Sequence, residues 1–361
     1  MPHPTVTVLV DTYNHERFIE EALVSVVEQD FPASDMEILV VDDGSTDRTP
    51  EIVRKFAPRV RLLSKTNGGQ ASAFNFGIPE ARGEIVAFLD GDDWWVRNKV
   101  TCVAQAMAAD PTVGIVGHGI VEVDGDSKHL RTLIPPEMGT FTLRNDDGAQ
   151  TFRNYMAFLG TSRVTIRKSI LLQILPIPDP LIVEADEFMS AAVVAAGSAV
   201  LLPEPLTFYR LHDGNLFQFR SADPVRLRRK QTVLASLADE LSQRLDRMGV
   251  SPSAKSIVVE PIRISALRLR LSLDGGSRRD TYRVEKADFQ HAYQRVAPGY
   301  RAWKQLSLLL TLLLPPRRYY GLRQLYSALG LRRFRSWLGE PQPRTQIKEL
   351  QLHPGATHAE K

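Results

Sequence analysis

Cysteine is nearly absent: Cys102 is the only one in 361 residues. That excludes an internal disulfide and any cysteine-based zinc site, and it suits a reducing compartment. Long apolar runs are also missing. Leu306 to Leu314 is nearly all leucine, but nine residues of helix reach roughly 14 Å against a bilayer core of about 30 Å, so it does not span. Met1 to Thr7 has no basic start followed by an apolar core, so no secretory signal is expected. No G-x-G-x-x-G follows the first β-like run, and no G-x-x-x-x-G-K-[ST] occurs. A dinucleotide dehydrogenase and a P-loop enzyme are therefore disfavoured. Acidic residues are missing from one stretch: Phe289 to Gly339 holds nine Lys or Arg and no Asp or Glu. The whole chain is only +3, so the rest is net acidic. A basic segment on an acidic body suggests an anionic partner, with nucleic acid and a lipid surface as the two classes.

What is present reads as alternating strands and helices. Val6–Val10, Glu37–Val41, Val60–Leu63 and Ile85–Leu89 are short β-rich runs. Between them, Phe18, Ala22, Leu23, Val26 and Val27 recur at helical spacing behind Asn14 as cap. Thr49-Pro50 opens a second helix, a third runs to Arg82, and Lys99–Ala109 is a fourth. Four such alternations predict βαβ units and a parallel sheet. In such a sheet the strand ends share one edge, so Asp11, Asp42/Asp43 and Asp90/Asp92 converge there.

Gly83 to Trp95 (GEIVAFLDGDDWW) organises the chain. Its unbroken apolar run predicts a strand buried on both faces. Asp90, Asp92 and Asp93 follow around Gly91. Three such acids repel one another unless a cation joins them, and hard divalent cations take oxygen ligands, Mg²⁺ with substrate phosphates. Asp90 and Asp92 are thus a candidate metal–diphosphate site. The competing reading is a solvated acidic turn.

The ordered set Asp11-Thr12-Tyr13-Asn14, Val41-Asp42-Asp43-Gly44-Ser45-Thr46-Asp47, Asn67-Gly68-Gly69-Gln70 and Phe88-Leu89-Asp90-Gly91-Asp92-Asp93 resembles the family 2 glycosyltransferases. The resemblance covers residues 5–95. It implies an α/β, GT-A (Rossmann-like), mostly parallel sheet flanked by helices, here with a helical C-terminal extension. It also implies a nucleotide-sugar donor (UDP-, GDP- or dTDP-linked), inversion at the sugar, and Mg²⁺ or Mn²⁺. Tyr13 and Asp43 would grip the base, Asp90 the ribose or metal, and Asp92 the metal. Asp11, Asn67 and Gln70 would border the donor. Asp11 stands where such proteins usually carry proline. In this family an acidic pair before a helix ending in glycine carries the catalytic base. Counting back from Gly197 puts Asp186 at that position, with Glu187 as the alternative; a structural role in favouring the helix dipole would also explain both. Tyr209-Arg210-Leu211-His212-Asp213-Gly214-Asn215 matches the family's closing motif, with His212 as a metal or diphosphate contact and Arg210, always cationic, as a phosphate contact.

The expected layout is a catalytic domain over 1–220 and a helical region over 221–338. Its last part, 300–338, is expected to lie in a membrane interface, since Leu322, Leu325, Tyr326, Leu329, Phe334, Trp337 and Leu338 form an apolar stripe among arginines. A disordered tail follows over 339–361. Helices within 225–275 would pack on the first domain or hold a homo-oligomer together. No Gln-x-x-Arg-Trp motif occurs, so a single-addition enzyme is expected rather than a processive synthase. Its acceptor would be a saccharide or lipid-linked saccharide, its place the inner face of the membrane, and nucleic acid would not be a partner. The alternative is a non-catalytic scaffold that binds nucleotide sugars.

Overall fold

The structure is a computed structural model describing residues 5–212, 223–292, 298–328 and 348–349. Strands β1 (Val6–Thr12), β2 (Met36–Asp42), β3 (Val60–Ser64) and β4 (Ile85–Asp90) form the parallel part of the sheet. Each is linked to the next by a helix: α1 (Ile19–Val27), α2 (Thr49–Arg54) and α3 (Gln70–Glu80). The order runs β3-β2-β1-β4, parallel throughout.

Side-chain alternation divides the core. Leu9, Val41, Val86 and Phe88 point to one face, where they meet Phe74 and Ile78 of α3. Val8, Val10, Ile38, Val40, Ala87 and Leu89 point to the other, against Ile19, Leu23 and Val26 of α1. Each strand therefore buries both faces, which is why these runs are continuously apolar.

After β4 the chain makes β5 (Trp94–Trp95) and α4 (Lys99–Ala109), then the long β6 (Val113–Asp124) and β7 (His129–Ile134). Helix α5 (Asp146–Tyr155) leads to β8 (Thr165–Arg167), which lies antiparallel between β4 and β6. Then come α6 (Lys168–Ile174), α7 (Ala185–Ala196) and β9 (Ser198–Leu211). Residues 113–123 allow either a strand pair or one bulged strand on sequence; they are one bulged strand, shifting register three times against β9. Gly117 and Gly119 permit its close packing: a Cβ there would meet Phe158 O at 2.5 Å and Leu133 O at 2.8 Å. Asp124-Gly125-Asp126, which on sequence is a turn, forms the hairpin tip between β6 and β7.

Two boundaries differ from expectation. Asn14 does not cap α1, which starts at Ile19. Its backbone is left-handed, and its side chain accepts from Thr46 N at 2.8 Å, so a loop partner has taken it from the helix. On sequence the run Val183-Glu184-Ala185-Asp186-Glu187-Phe188 starts a helix, but helix α7 starts at Ala185, because Glu184 is also left-handed.

Helices α8 (Pro224–Arg247) and α9 (Pro252–Asp274) pack as a pair, and Leu237, Leu241, Val258 and Ile262 join the same core as Leu9 and Phe88. This is the expected packing on the catalytic sheet. Helices α10 (Arg278–Ala292), α11 (Pro298–Leu313) and α12 (Pro316–Ala328) follow. A buried Glu285 of α10 ties α9 and α12 together, accepting from Arg268, Arg323 and Tyr320. Of the expected apolar stripe only Leu322 has a described side chain, and it is exposed; Leu325 to Leu338 lie outside the described side chains. Of the expected tail only Lys348–Glu349 is described, as a short strand (β10) antiparallel to β7.

Candidate active site

Strand register builds the site. Asp11 on β1 lies directly opposite Asp90 on β4, and the next residue, Thr12, lies opposite Asp42 on β2. The turn after β4 adds Asp92 and Asp93. One carboxylate oxygen from each of Asp90, Asp92 and Asp93 lies within 4.8 Å of the others. Gly91 lets this turn close on β1, since a Cβ there would sit 2.7 Å from both His15 Nδ1 and Thr12 Oγ1.

These acids are poorly compensated: Asp93 is buried, and Asp11, Asp90 and Asp92 are half-buried. Burial, then the charge of Asp92, raises Asp11 well above the usual carboxylate range, with Asp186 and Asp43 adding to it. Burial and then Asp11 do the same to Asp90, again with a contribution from Asp186. Asp11 Oδ1 and Asp93 Oδ2 are buried without a hydrogen-bond partner. Such orphaned oxygens are costly and mark a place where something cationic is wanted.

Asp92 behaves differently. Burial pushes it up, but His15 and His212 outweigh that and hold it below the usual range. His212 Nε2 is 2.9 Å from Asp92 Oδ2, and His15 Nε2 is 4.0 Å away. His212, expected as a metal or diphosphate contact, thus lies directly on the Asp92 carboxylate. His15 was not anticipated; its signal was its place two residues after Tyr13, in the same strand-end turn.

Asp43 is buried, and its carboxylate is taken up by the loop that follows β3. It accepts from Lys65 Nζ at 2.6 Å, Gly69 N at 2.7 Å, Gly68 N at 3.0 Å and Asn67 Nδ2 at 3.2 Å. Gln70 is likewise engaged. Its Nε2 donates to Thr161 Oγ1 at 3.0 Å, and its Oε1 accepts from Ala185 N at 3.1 Å. It therefore ties the start of α3 to the start of α7, the helix that carries Asp186. Tyr13, by contrast, is 41% exposed, with its ring free for a planar ligand to cover.

Asp186 sits in the first turn of α7. Its carboxylate accepts from Glu187 N at 2.9 Å and Thr161 N at 3.3 Å. Burial raises it, while Arg163 opposes. Thr161, one of its donors, adjoins Ser162, which bonds Asp90, so Asp186 lies near the strand-end acids, and its charge adds to the raising of Asp11 and Asp90. Glu187 turns elsewhere, toward Arg153 at 3.5 Å. The geometry favours Asp186 of the two. The Gly160-Thr161-Ser162 segment, which on sequence could line an acceptor pocket, and Arg163 beyond it complete this wall: Ser162 Oγ donates to Asp90 Oδ2 at 3.2 Å, and Arg163 lies over the Tyr209 ring at 4.5 Å.

Arg210, expected as a phosphate contact, is buried, and its guanidinium is engaged within the protein. Its Nε donates to Asp92 O at 2.9 Å, one terminal nitrogen donates to Ser127 Oγ at 2.9 Å, and the other pairs with Glu21. Its plane is wedged between Phe18 and Trp94. It is a positioning residue for the Asp92 turn. Arg210→Lys keeps the charge but loses the planar fork. The expected outcome is a loss of about 2–3 kcal/mol of stability, read by urea melts, together with weaker metal-dependent donor binding.

The donor set suits a hard divalent cation: all oxygen, three carboxylates, and orphaned buried oxygens beside them. Without a cation the cluster strains the fold in a pH-dependent way. Burial and then Asp92 push Asp93 up to about 8, and burial pushes Glu187 up to about 7. Both lie above their unfolded values near 4. The folded state thus holds protons that the unfolded state releases, and that stability is lost as pH rises through the folded values. Metal-free protein should melt on the order of 2–4 °C higher at about pH 7 than at about pH 8.5. Below about pH 6.5 half-buried His15 and buried His118 oppose part of this gain, because both stay neutral while unfolded histidines take up protons. A melting temperature that is flat or falls between about pH 8.5 and 7 contradicts the assignment.

Comparison with known proteins agrees with this geometry. Residues 7–171 match the family described as Glycosyl transferase family 2. Residues 7–171 belong to that family. An uncharacterised glycosyltransferase of Nostoc sp. is 32% identical over 222 residues, which is 58% of this chain and 66% of that protein. Bacillus subtilis EpsJ, also an uncharacterised glycosyltransferase, is 38% identical over 37% of this chain and 38% of its own length. Staphylococcus aureus TarS, a poly(ribitol-phosphate) β-N-acetylglucosaminyltransferase, is 42% identical over 29% of this chain but only 18% of its own length. The chain thus spans less than two thirds of each of these relatives. The solved TarS fragment 1–349 with UDP-GlcNAc superposes with a TM-score of 0.54 at 20% identity, covering 88% of this chain and 92% of that one. That likeness is one of fold, and the fold is GT-A, a mostly parallel sheet with flanking helices and a helical C-terminus. In this chain the acids stand at the C-terminal ends of the parallel strands β1, β2 and β4 of that sheet, and in the turn after β4.

Proposed function

We propose that the chain is an inverting, metal-dependent glycosyltransferase that moves one sugar from a nucleotide donor to a hydroxyl of a saccharide or lipid-linked saccharide acceptor. One observation carries this: the neighbours Thr161 and Ser162 join Asp186 to Asp90, Thr161 N donating to the Asp186 carboxylate at 3.3 Å and Ser162 Oγ to Asp90 Oδ2 at 3.2 Å, which supports a base beside the metal-type cluster.

A divalent cation bound by Asp92, with Asp90 beside it, would neutralise the charge that builds on the leaving nucleoside diphosphate. The other tasks fall to the chain. Tyr13 offers its exposed ring to the base. Asp43, by releasing one of its loop bonds, accepts a base N–H, and Asn67 moves with that loop. Gln70 and Thr161 hold α7 in place, and His15 and His212 keep Asp92 ionised. Asp186 takes the proton from the acceptor hydroxyl as its oxygen bonds to the anomeric carbon. The bond from that carbon to the diphosphate oxygen breaks, and the electron pair leaves with the diphosphate. Attack comes from the face opposite the leaving group, which inverts the centre.

TarS is recorded with UDP-GlcNAc, so UDP-sugars head the donor panel, with GDP- and dTDP-sugars beside them. The expected result is that one nucleotide class raises the melting temperature with Mg²⁺ or Mn²⁺, and that its nucleoside diphosphate is then released. Stabilisation without any release of diphosphate, with acceptors or water, would instead identify a binding scaffold.

A further inference from the structure

Helix α11 is turned the wrong way for a helix that only packs on its own protein. Its inward face is partly polar: Thr311 is fully buried, and Ser307 Oγ meets Tyr319 OH at 3.3 Å beside buried Tyr300. Its leucines face out. Leu306, Leu309 and Leu313, spaced three and four residues apart, are 54%, 57% and 66% exposed, with Leu310 and Leu312 exposed beside them. Scattered exposed leucines are ordinary, whereas a contiguous stripe marks an interaction surface.

The surroundings select the partner. Arg301, Arg317 and Arg318 are exposed on α11 and at the start of α12, within a stretch, 289–339, that contains no acid. Between α10 and α11 lies an open cleft of about 510 Å³, lined by Lys286, Phe289, Gln290, Arg301, Gln305 and Leu308. It joins two cations and two amides to an apolar floor, the chemistry of a phosphate headgroup with the start of its chains. Pairing two copies through this stripe would set one acid-free basic rim against another, which like-charge repulsion disfavours. No described helix is long and apolar enough to cross a membrane.

We propose that α11 docks the protein flat on an anionic phospholipid surface, leucines in the acyl boundary and arginines at the phosphates. This places the membrane contact on α11 itself, and it does not depend on the active-site reading.

The test is flotation of the full chain with vesicles of phosphatidylcholine alone and of phosphatidylcholine doped with phosphatidylglycerol. The wild type should float with the doped vesicles only, and high salt should weaken the association. Leu306→Gln/Leu309→Gln/Leu313→Gln should weaken it about tenfold or more, and Arg301→Gln/Arg318→Gln about tenfold. Melting temperature and donor binding should stay unchanged in both variants. Wild-type flotation of the leucine variant overturns the proposal. Equal binding to neutral vesicles overturns its electrostatic half. A wild-type dimer by sedimentation that the leucine change dissociates, with no vesicle binding, overturns it in favour of self-association.

Discussion

Asp186→Asn should bind donor with unchanged affinity and transfer sugar about 10²–10⁴ times more slowly, the usual contribution of a general base. The asparagine can still accept one of the two backbone N–H bonds at the start of α7, so the fold should survive. What disappears is the acceptor for a proton. The raised position of Asp186 fixes a second expectation. Burial disfavours its charged form, so the wild-type rate should climb with pH as the carboxylate ionises, and the variant should lose that limb. Calorimetry of donor binding beside initial rates separates the two effects. Normal turnover in the variant removes Asp186 from the chemistry and leaves Glu187, at its pKa of about 7, as the residue to examine next.

Asp92→Asn should cost about 10²-fold or more in apparent metal affinity, and with it metal-dependent donor binding. Asp92 is the one member of the cluster kept low, by His15 and His212. It is therefore the carboxylate already charged when a cation arrives. Removing its charge also relieves repulsion on Asp11, Asp90 and Asp93, each of which it raises. The metal-free variant should accordingly melt no lower than the wild type, and higher at alkaline pH. Donor binding that still requires Mg²⁺ or Mn²⁺ with wild-type affinity would contradict the role. A collapse in stability would show that Asp92 is structural.

The parallel strands and their terminal acids were legible because they are local facts. A run such as Ile85–Leu89, apolar at every position, has only one use in an α/β sheet, and the residue after it must sit at the edge. The partners of those acids were not legible, because they arrive from far along the chain. Ser162 reaches Asp90 across 72 residues, and Ala185 reaches Gln70 across 115. Arg210 shows the same limit from the other side. An arginine in a donor-site motif suggests a phosphate contact; here its guanidinium is packed between Phe18 and Trp94. Asn14 misled for a related reason: its capping group found the Ser45–Thr46 loop instead of a helix. The inward polar face of α11 could not be foreseen, since a leucine-rich helix ordinarily buries its leucines.

Everything rests on strand-end acids and Asp186 sharing one cleft for a cation and a diphosphate. A crystal of the protein with Mn²⁺ and the diphosphate of its preferred donor, with data at the manganese edge, tests this most directly. One anomalous peak should appear within about 2.5 Å of an Asp92 oxygen and against the diphosphate, with Tyr13 on the base and Asp186 facing the open side. Manganese bound elsewhere, or a diphosphate seated while Asp92 stays closed on His212, would contradict it.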